Sequence, residues 1–112
     1  MPVAPAGPLH SLELRILLVV ADGPAHGYRI VQEIEKAEGE HFKLYPANLY
    51  RRMRDLTDRG LLVEVPPPPG DEPGRRPRTY FGVTPEGRQV IASERARLEA
   101  LLRDARRATS ST

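Results

Sequence analysis

A mainly α fold with one small β-hairpin, closed by a long C-terminal helix, is what this sequence predicts. Three observations carry it. Apolar residues recur at helical spacing in four separate stretches. A proline-rich segment, PPPPGDEPGRRPR, separates two short runs of strand-like alternation. An amphipathic stretch of more than twenty residues follows and ends near the C-terminus. With 112 residues, 39% of them hydrophobic, there is room for a single modest core and one domain.

Residues 1–8 hold three prolines and no periodicity, and read as a flexible N-terminal arm. Ser11 is the expected cap of a first helix running to about Ala21, with Leu14, Leu17, Leu18 and Ala21 as its buried spacing. Asp22-Gly23-Pro24 stops it. A second helix is expected from Gly27 to Glu38, burying Ile30, Val31, Ile34 and Ala37, and Gly39 ends it. The third opens at Tyr45-Pro46, where proline's missing N–H costs nothing, and stops before Gly60. At 100° per residue Leu49, Met53 and Leu56 form its buried stripe. Ala47, Tyr50, Arg51, Arg54 and Asp58 lie opposite, with Asn48 and Asp55 at the edge.

Leu61–Val65 and Thr79–Val83 are the expected strands, joined by a long, stiff loop at about 66–78 whose returning side carries Arg75, Arg76 and Arg78. Thr84-Pro85-Glu86 starts the last helix, which is expected to run to Arg107 and leave 108–112 as a disordered tail. Ile91, Leu98 and Ala105 repeat at seven, with Val90, Leu101 and Leu102 alongside and Glu94 interrupting the stripe. A helix of this length outruns so small a core. These residues, together with Leu12, are therefore expected to meet a second copy of the chain.

Two helices joined by a short link and followed by a hairpin tipped with arginines have the order of a winged helix-turn-helix, here over 9–83, with 84–107 as a dimerisation helix. Charge is distributed unevenly along the chain, with a basic middle after an acidic first third. Residues 1–42 carry three basic and six acidic side chains, whereas 43–78 carry eight basic and five acidic. A polar, cation-bearing helix face suits the major groove, and a neighbouring basic loop suits phosphate. The candidate DNA contacts are thus Ala47, Asn48, Tyr50, Arg51 and Arg54 on the third helix, Lys43 ahead of it, and Arg75, Arg76 and Arg78 in the wing. Arg52 falls nearer the core side and is expected to pair within the molecule or with phosphate.

Other chemistry finds little to build on. There are no cysteines, and His10, His26 and His41 have no second histidine at i+3 or i+4, so neither metal nor other cofactor is expected. Nucleophile-elbow, dinucleotide and Walker motifs are absent, and no catalytic residue is assigned. The longest apolar run, Ile16–Ala21, is far short of a bilayer span, and the N-terminus has no secretion signal; the expectation is a cytoplasmic protein without membrane contact. Pro66–Pro69 has the composition of a polyproline II ligand, but a stiffened wing accounts for it better.

The stretches ILLVVADGPAHGYRIVQEIE, YPANLYRRMRDLTDRGLL and RRPRTYFGVTPEGR resemble the PadR family of transcriptional regulators, in its short form with a single C-terminal helix. The matching motifs are HGY after the first helix, P-x-x-LY in the third and RTYF-x-x-T-x-x-G after the wing. The resemblance implies a homodimeric bacterial repressor on a partly palindromic operator, with release by a small-molecule effector in some relatives. It places Tyr50 at the family's DNA-contacting tyrosine, with Arg51 and Arg54 beside it. It makes Tyr28 a packing residue between helices, and Arg76 and Arg78 part of the basic wing. Tyr45 stands where the family has a capping serine or threonine, and the wing is long. The alternative reading is a winged helix whose arginine face docks on an acidic protein.

Overall fold

The computed structural model describes residues 9–39, 41–70 and 78–110. Its elements are α1 (Ser11–Ala21), β1 (Ala25–His26), α2 (Gly27–Glu38), α3 (Pro46–Asp58), β2 (Leu62–Val65), β3 (Tyr80–Val83) and α4 (Pro85–Ser110). This is the winged helix-turn-helix order. The arm at 1–8 and the wing tip with Arg75 and Arg76 lie outside the described residues.

Side-chain chemistry sets the helix starts. His10, rather than Ser11, caps α1: its Nδ1 accepts the Leu12 N–H at 3.1 Å while the Glu13 carboxylate accepts the His10 N–H at 3.2 Å. His26 does the same for α2, accepting the Arg29 N–H at 3.2 Å. At α3 Tyr45 makes no side-chain cap bond, and Pro46 at the first position removes one of the donors a cap would satisfy.

The core forms where α1, α2 and α3 converge. Ile30 and Ile34 of α2 and Leu49, Met53 and Leu56 of α3 are buried as their spacing predicts. Ala37 is exposed, and Val31 is only partly buried. On α1 Leu17 is buried as expected, but its buried companions are Leu12, Ile16 and Val20; Leu14 and Ala21 are only partly buried and Leu18 is exposed. The reason is that α1 is apolar on two sides. One side faces the core, and the other, with Leu14 and Leu18, lines a groove against α4. Leu12, expected between two copies, is therefore taken up by the protomer's own core.

The sheet has three strands in the order β1–β3–β2, all antiparallel. β2 and β3 form the expected hairpin, with Leu62 opposite Val83 and Val65 opposite Tyr80. The third strand, β1, pairs Ala25 with Phe81 and His26 with Tyr80; its two residues ties the start of α2 to the root of the wing.

Thr84 alone separates β3 from α4. Its hydroxyl donates to the Gly60 carbonyl at 2.7 Å and accepts the Gly87 N–H at 2.9 Å, and its own N–H reaches the Leu61 carbonyl at 3.1 Å. α4 then runs three residues past Arg107, where the sequence reading ended it. Val90 and Ile91 pack partly on the protomer's core, whereas Leu98, Leu101 and Leu102 are 43%, 51% and 50% exposed. Ala105 is exposed as well.

Glu94, which breaks the apolar stripe, is buried against Arg97. Arg97 Nη2 and Nε donate to its two carboxylate oxygens at 2.7 and 3.3 Å. The Arg97 hydrogen bond holds the Glu94 carboxyl below its ordinary value of 4.5; burial opposes this, while the Arg97 charge and a backbone hydrogen bond from Leu9 add to it. A carboxylate lowered on folding stabilises the protein above its unfolded-state pKa, and that contribution is lost as the pH falls through the folded one. The melting temperature of the wild type should therefore drop more steeply below pH 4.5 than that of Glu94→Gln. Parallel acid limbs would remove Glu94 from this account.

Candidate nucleic-acid interface

The buried stripe of α3 fixes which residues it turns outward. Ala47, Asn48, Arg51 and Arg54 are all exposed, and Tyr50 is 55% exposed on one flank. Asn48 Oδ1 accepts from Arg51 Nη2 at 2.6 Å, one turn apart, so the guanidinium is partly oriented before any ligand arrives.

Tyr50 leans toward the N-terminus of α2. A Cβ placed on Gly27 would stand 2.9 Å from the Tyr50 hydroxyl and 3.2 Å from its ring. Gly27 thus leaves the space that this tyrosine occupies, which gives the glycine of the HGY triplet a physical role beside α3.

The rest of that triplet is equally close. His26 stacks near-parallel on Tyr28, centroids 6.4 Å apart, and meets Tyr80 edge-on at 5.3 Å. Tyr28 is 65% exposed. It is not a packing residue between helices, because its position in the first turn of α2 points it away from the core that Ile30 and Ile34 enter. Arg78, on the returning side of the wing, is exposed and places Nη1 3.1 Å from His26 Nε2. Which of the two groups donates depends on the tautomer of the imidazole, whose Nδ1 faces the Arg29 N–H.

The fold thus assembles Asn48, Tyr50, Arg51 and Arg54 on α3, with Arg78 standing at the N-terminus of α2 beside His26 and Tyr28. The sequence reading missed His26 and mistook Tyr28. The available signal was a histidine immediately ahead of a helix, where its ring nitrogen serves as a cap. Lys43 is exposed but lines a shallow groove with Glu35, Lys36, Gly39 and Phe42, none of which belongs to the outward face of α3. Arg52 is turned inward and pairs with Glu13 of α1. Among the described residues no three His, Asp or Glu side chains converge as metal ligands, and no helix is long and apolar enough to cross a membrane.

The profile of the transcriptional regulator PadR-like family matches residues 16–93. The chain belongs to the PadR family. Its relatives include an uncharacterized 37.1 kDa protein in a transposon of Streptomyces fradiae, 36% identical over 86 residues, which cover 76% of this chain and 22% of that protein. The transcriptional regulator Rv3488 of Mycobacterium tuberculosis is 31% identical over 94 residues, or 84% of this chain and 81% of that one. Among solved structures, a PadR family transcriptional regulator from Eggerthella lenta shares the fold with a TM-score of 0.70 at 24% identity, covering 91% of this chain and 84% of that one. PadR of Bacillus subtilis in complex with operator DNA does so with a TM-score of 0.62 at 20% identity, over 75% and 46% of the two chains. The match to the PadR profile begins within α1 and ends within the first turns of α4, so it contains the whole of α3 and the wing.

Proposed function

We propose that this PadR family regulator is a homodimeric transcriptional repressor that reads a partly palindromic operator. α3 of each protomer enters the major groove, and Tyr50, Arg51, Arg54, Asn48 and Ala47 carry the base contacts. Arg75, Arg76 and Arg78 of the wing, with Lys43 ahead of α3, bind phosphate and supply affinity that is blind to sequence. The observation that carries this reading is the outward face of α3. It bears two arginines, one already oriented by Asn48, on a helix whose opposite side is fully committed to the core. The complex of the Bacillus subtilis protein with operator DNA lends it support.

The dimer is seamed by Leu98, Leu101, Leu102 and Ala105 of α4, with Val90 and Ile91 at its inner end. Half-sites then lie about ten base pairs apart, one per successive major groove. A small apolar effector bound along this seam would release the operator by favouring dimers of a different spacing.

Selection from a random duplex library at near-physiological salt should enrich an inverted repeat. Arg54→Ala should weaken binding to it by about 1–3 kcal/mol and relax the preference at one base position, and Arg51→Ala/Arg54→Ala should abolish the preference. Uniform weakening over all sequences, with a salt slope lower by about one, would reassign Arg54 to phosphate. A folded dimer that enriches no duplex would sink the repressor reading and leave the arginine face to an acidic protein.

A further inference from the structure

Among the described residues two carboxylates are buried, and one of them, Glu13, reaches across to α3. It is 4% exposed. Its Oε1 lies 3.5 Å from Arg59 Nη1, besides accepting the His10 N–H, and its Oε2 lies 3.9 Å from Arg52 Nη1. The two arginines are seven residues apart, which puts them on one flank of α3 and its C-terminal cap, two turns from each other. Arg59 has a second, exposed partner in Asp55 at 3.5 Å. Arg52 Nε is buried without a hydrogen-bond partner among the described residues. A guanidinium with a desolvated N–H stays in place only when a nearby opposite charge offsets the loss of water, and Glu13 is that charge.

Arg52 adjoins Arg51 and lies about 100° round the helix from it. Without the Glu13 charge, its long side chain has every reason to leave the flank for water, and on DNA the nearest anion is a phosphate. We propose that Glu13 is a specificity-positioning residue. Its carboxylate holds Arg52 and Arg59 against α1, fixes the roll of α3 about its own axis, and withholds Arg52 from the phosphate contacts that every duplex offers. The proposal rests on the DNA-reading role of α3 given above.

Glu13→Gln tests it, because the amide oxygen still accepts the His10 N–H and only the charge is lost. Binding of the full chain to its selected inverted repeat and to a random duplex of equal length is compared over a salt series. The ratio of the two affinities should fall about tenfold, the scale of one charge-assisted contact. The salt slope on the random duplex should steepen by about one as Arg52 gains a phosphate. Glu13→Asp, which keeps the charge, should recover part of the ratio. A folded Glu13→Gln protein with wild-type ratio and slope overturns the proposal.

If Glu13→Gln does not fold, Arg52→Gln and Arg59→Gln take its place, since both side chains are partly exposed. Arg59→Gln should lower the ratio without steepening the slope. Arg52→Gln should lower the ratio and leave the slope unchanged; a slope reduced by about one would mean that Arg52 already holds phosphate in the wild type, which also overturns the proposal. A wild type with no operator preference would defeat the repressor reading instead. The pairing would then be decided by urea unfolding alone: non-additive losses in Arg52→Gln/Arg59→Gln support a shared carboxylate, and additive ones overturn it.

Discussion

Gly87→Ala is expected to destabilise this fold by about 2 kcal/mol, although it sits in a helix where alanine is the better residue. Propensity alone favours the substitution by about 1 kcal/mol. The site reverses the sign. A Cβ on Gly87 would lie 2.4 Å from the Leu61 carbonyl oxygen and 2.7 Å from Val83 Cγ2. The valine methyl has some freedom to turn, but the carbonyl is backbone and is already bonded by the Thr84 N–H at 3.1 Å. Relief requires lifting the first turn of α4 off the hairpin, at a cost of about 3 kcal/mol, which outweighs the propensity gain. The melting temperature should fall by roughly 10 °C for a domain of this size, with the urea midpoint following. A stabilised Gly87→Ala protein would mean that α4 is not pressed against Leu61 in solution.

The second large effect is expected in assembly. Leu98→Glu/Leu102→Glu places two charges on the outer half of α4, at side chains about half exposed in the protomer. Unfolding stability extrapolated to dilute protein should change by less than about 0.5 kcal/mol, because neither leucine enters the core. Sedimentation should instead show a monomer, against the dimer expected of the wild type. Operator affinity should fall by on the order of a hundredfold or more, since a single α3 loses the effective concentration conferred by its twin. A variant that still sediments as a dimer would move the seam away from this whole groove, which Leu98 and Leu102 share with Leu14, Leu18 and Ile91.

How much of this was legible in the sequence varies with the kind of signal. The stripe of α3 was, because Leu49, Met53 and Leu56 are apolar among polar neighbours and leave one orientation open. Its outward residues followed by subtraction. α1 was read in the wrong register for the opposite reason: LELRILLVVA is apolar nearly all round, so spacing does not tell the side facing the core from the side facing α4. That ambiguity sent Leu12, a core residue, to the expected contact between copies. β1 went unseen because two residues have no period. Tyr28 was misplaced because the family resemblance alone assigned it a packing role, and the sequence does not show that the first turn of α2 turns it outward. Glu13 shows a further limit. Beside a histidine cap it reads as part of a capping box, which it is, and nothing local announces that Arg52 and Arg59, some forty residues on, converge on the same carboxylate.

The one-residue joint at Thr84 has a mechanical consequence. With its backbone bonded to Leu61 and its hydroxyl to Gly60, it leaves no slack between the reading domain and α4, a rod of 26 residues. Such a rod is about 39 Å long. In a dimer crossed near Leu101, roughly 25 Å along the rod from the joint, a change of about 10° in the crossing angle alters the spacing of the two domains by roughly 4 Å, about one base-pair step. Such a dimer would work as a pair of calipers, its jaw width set by the packing of a few leucines two-thirds of the way along each rod.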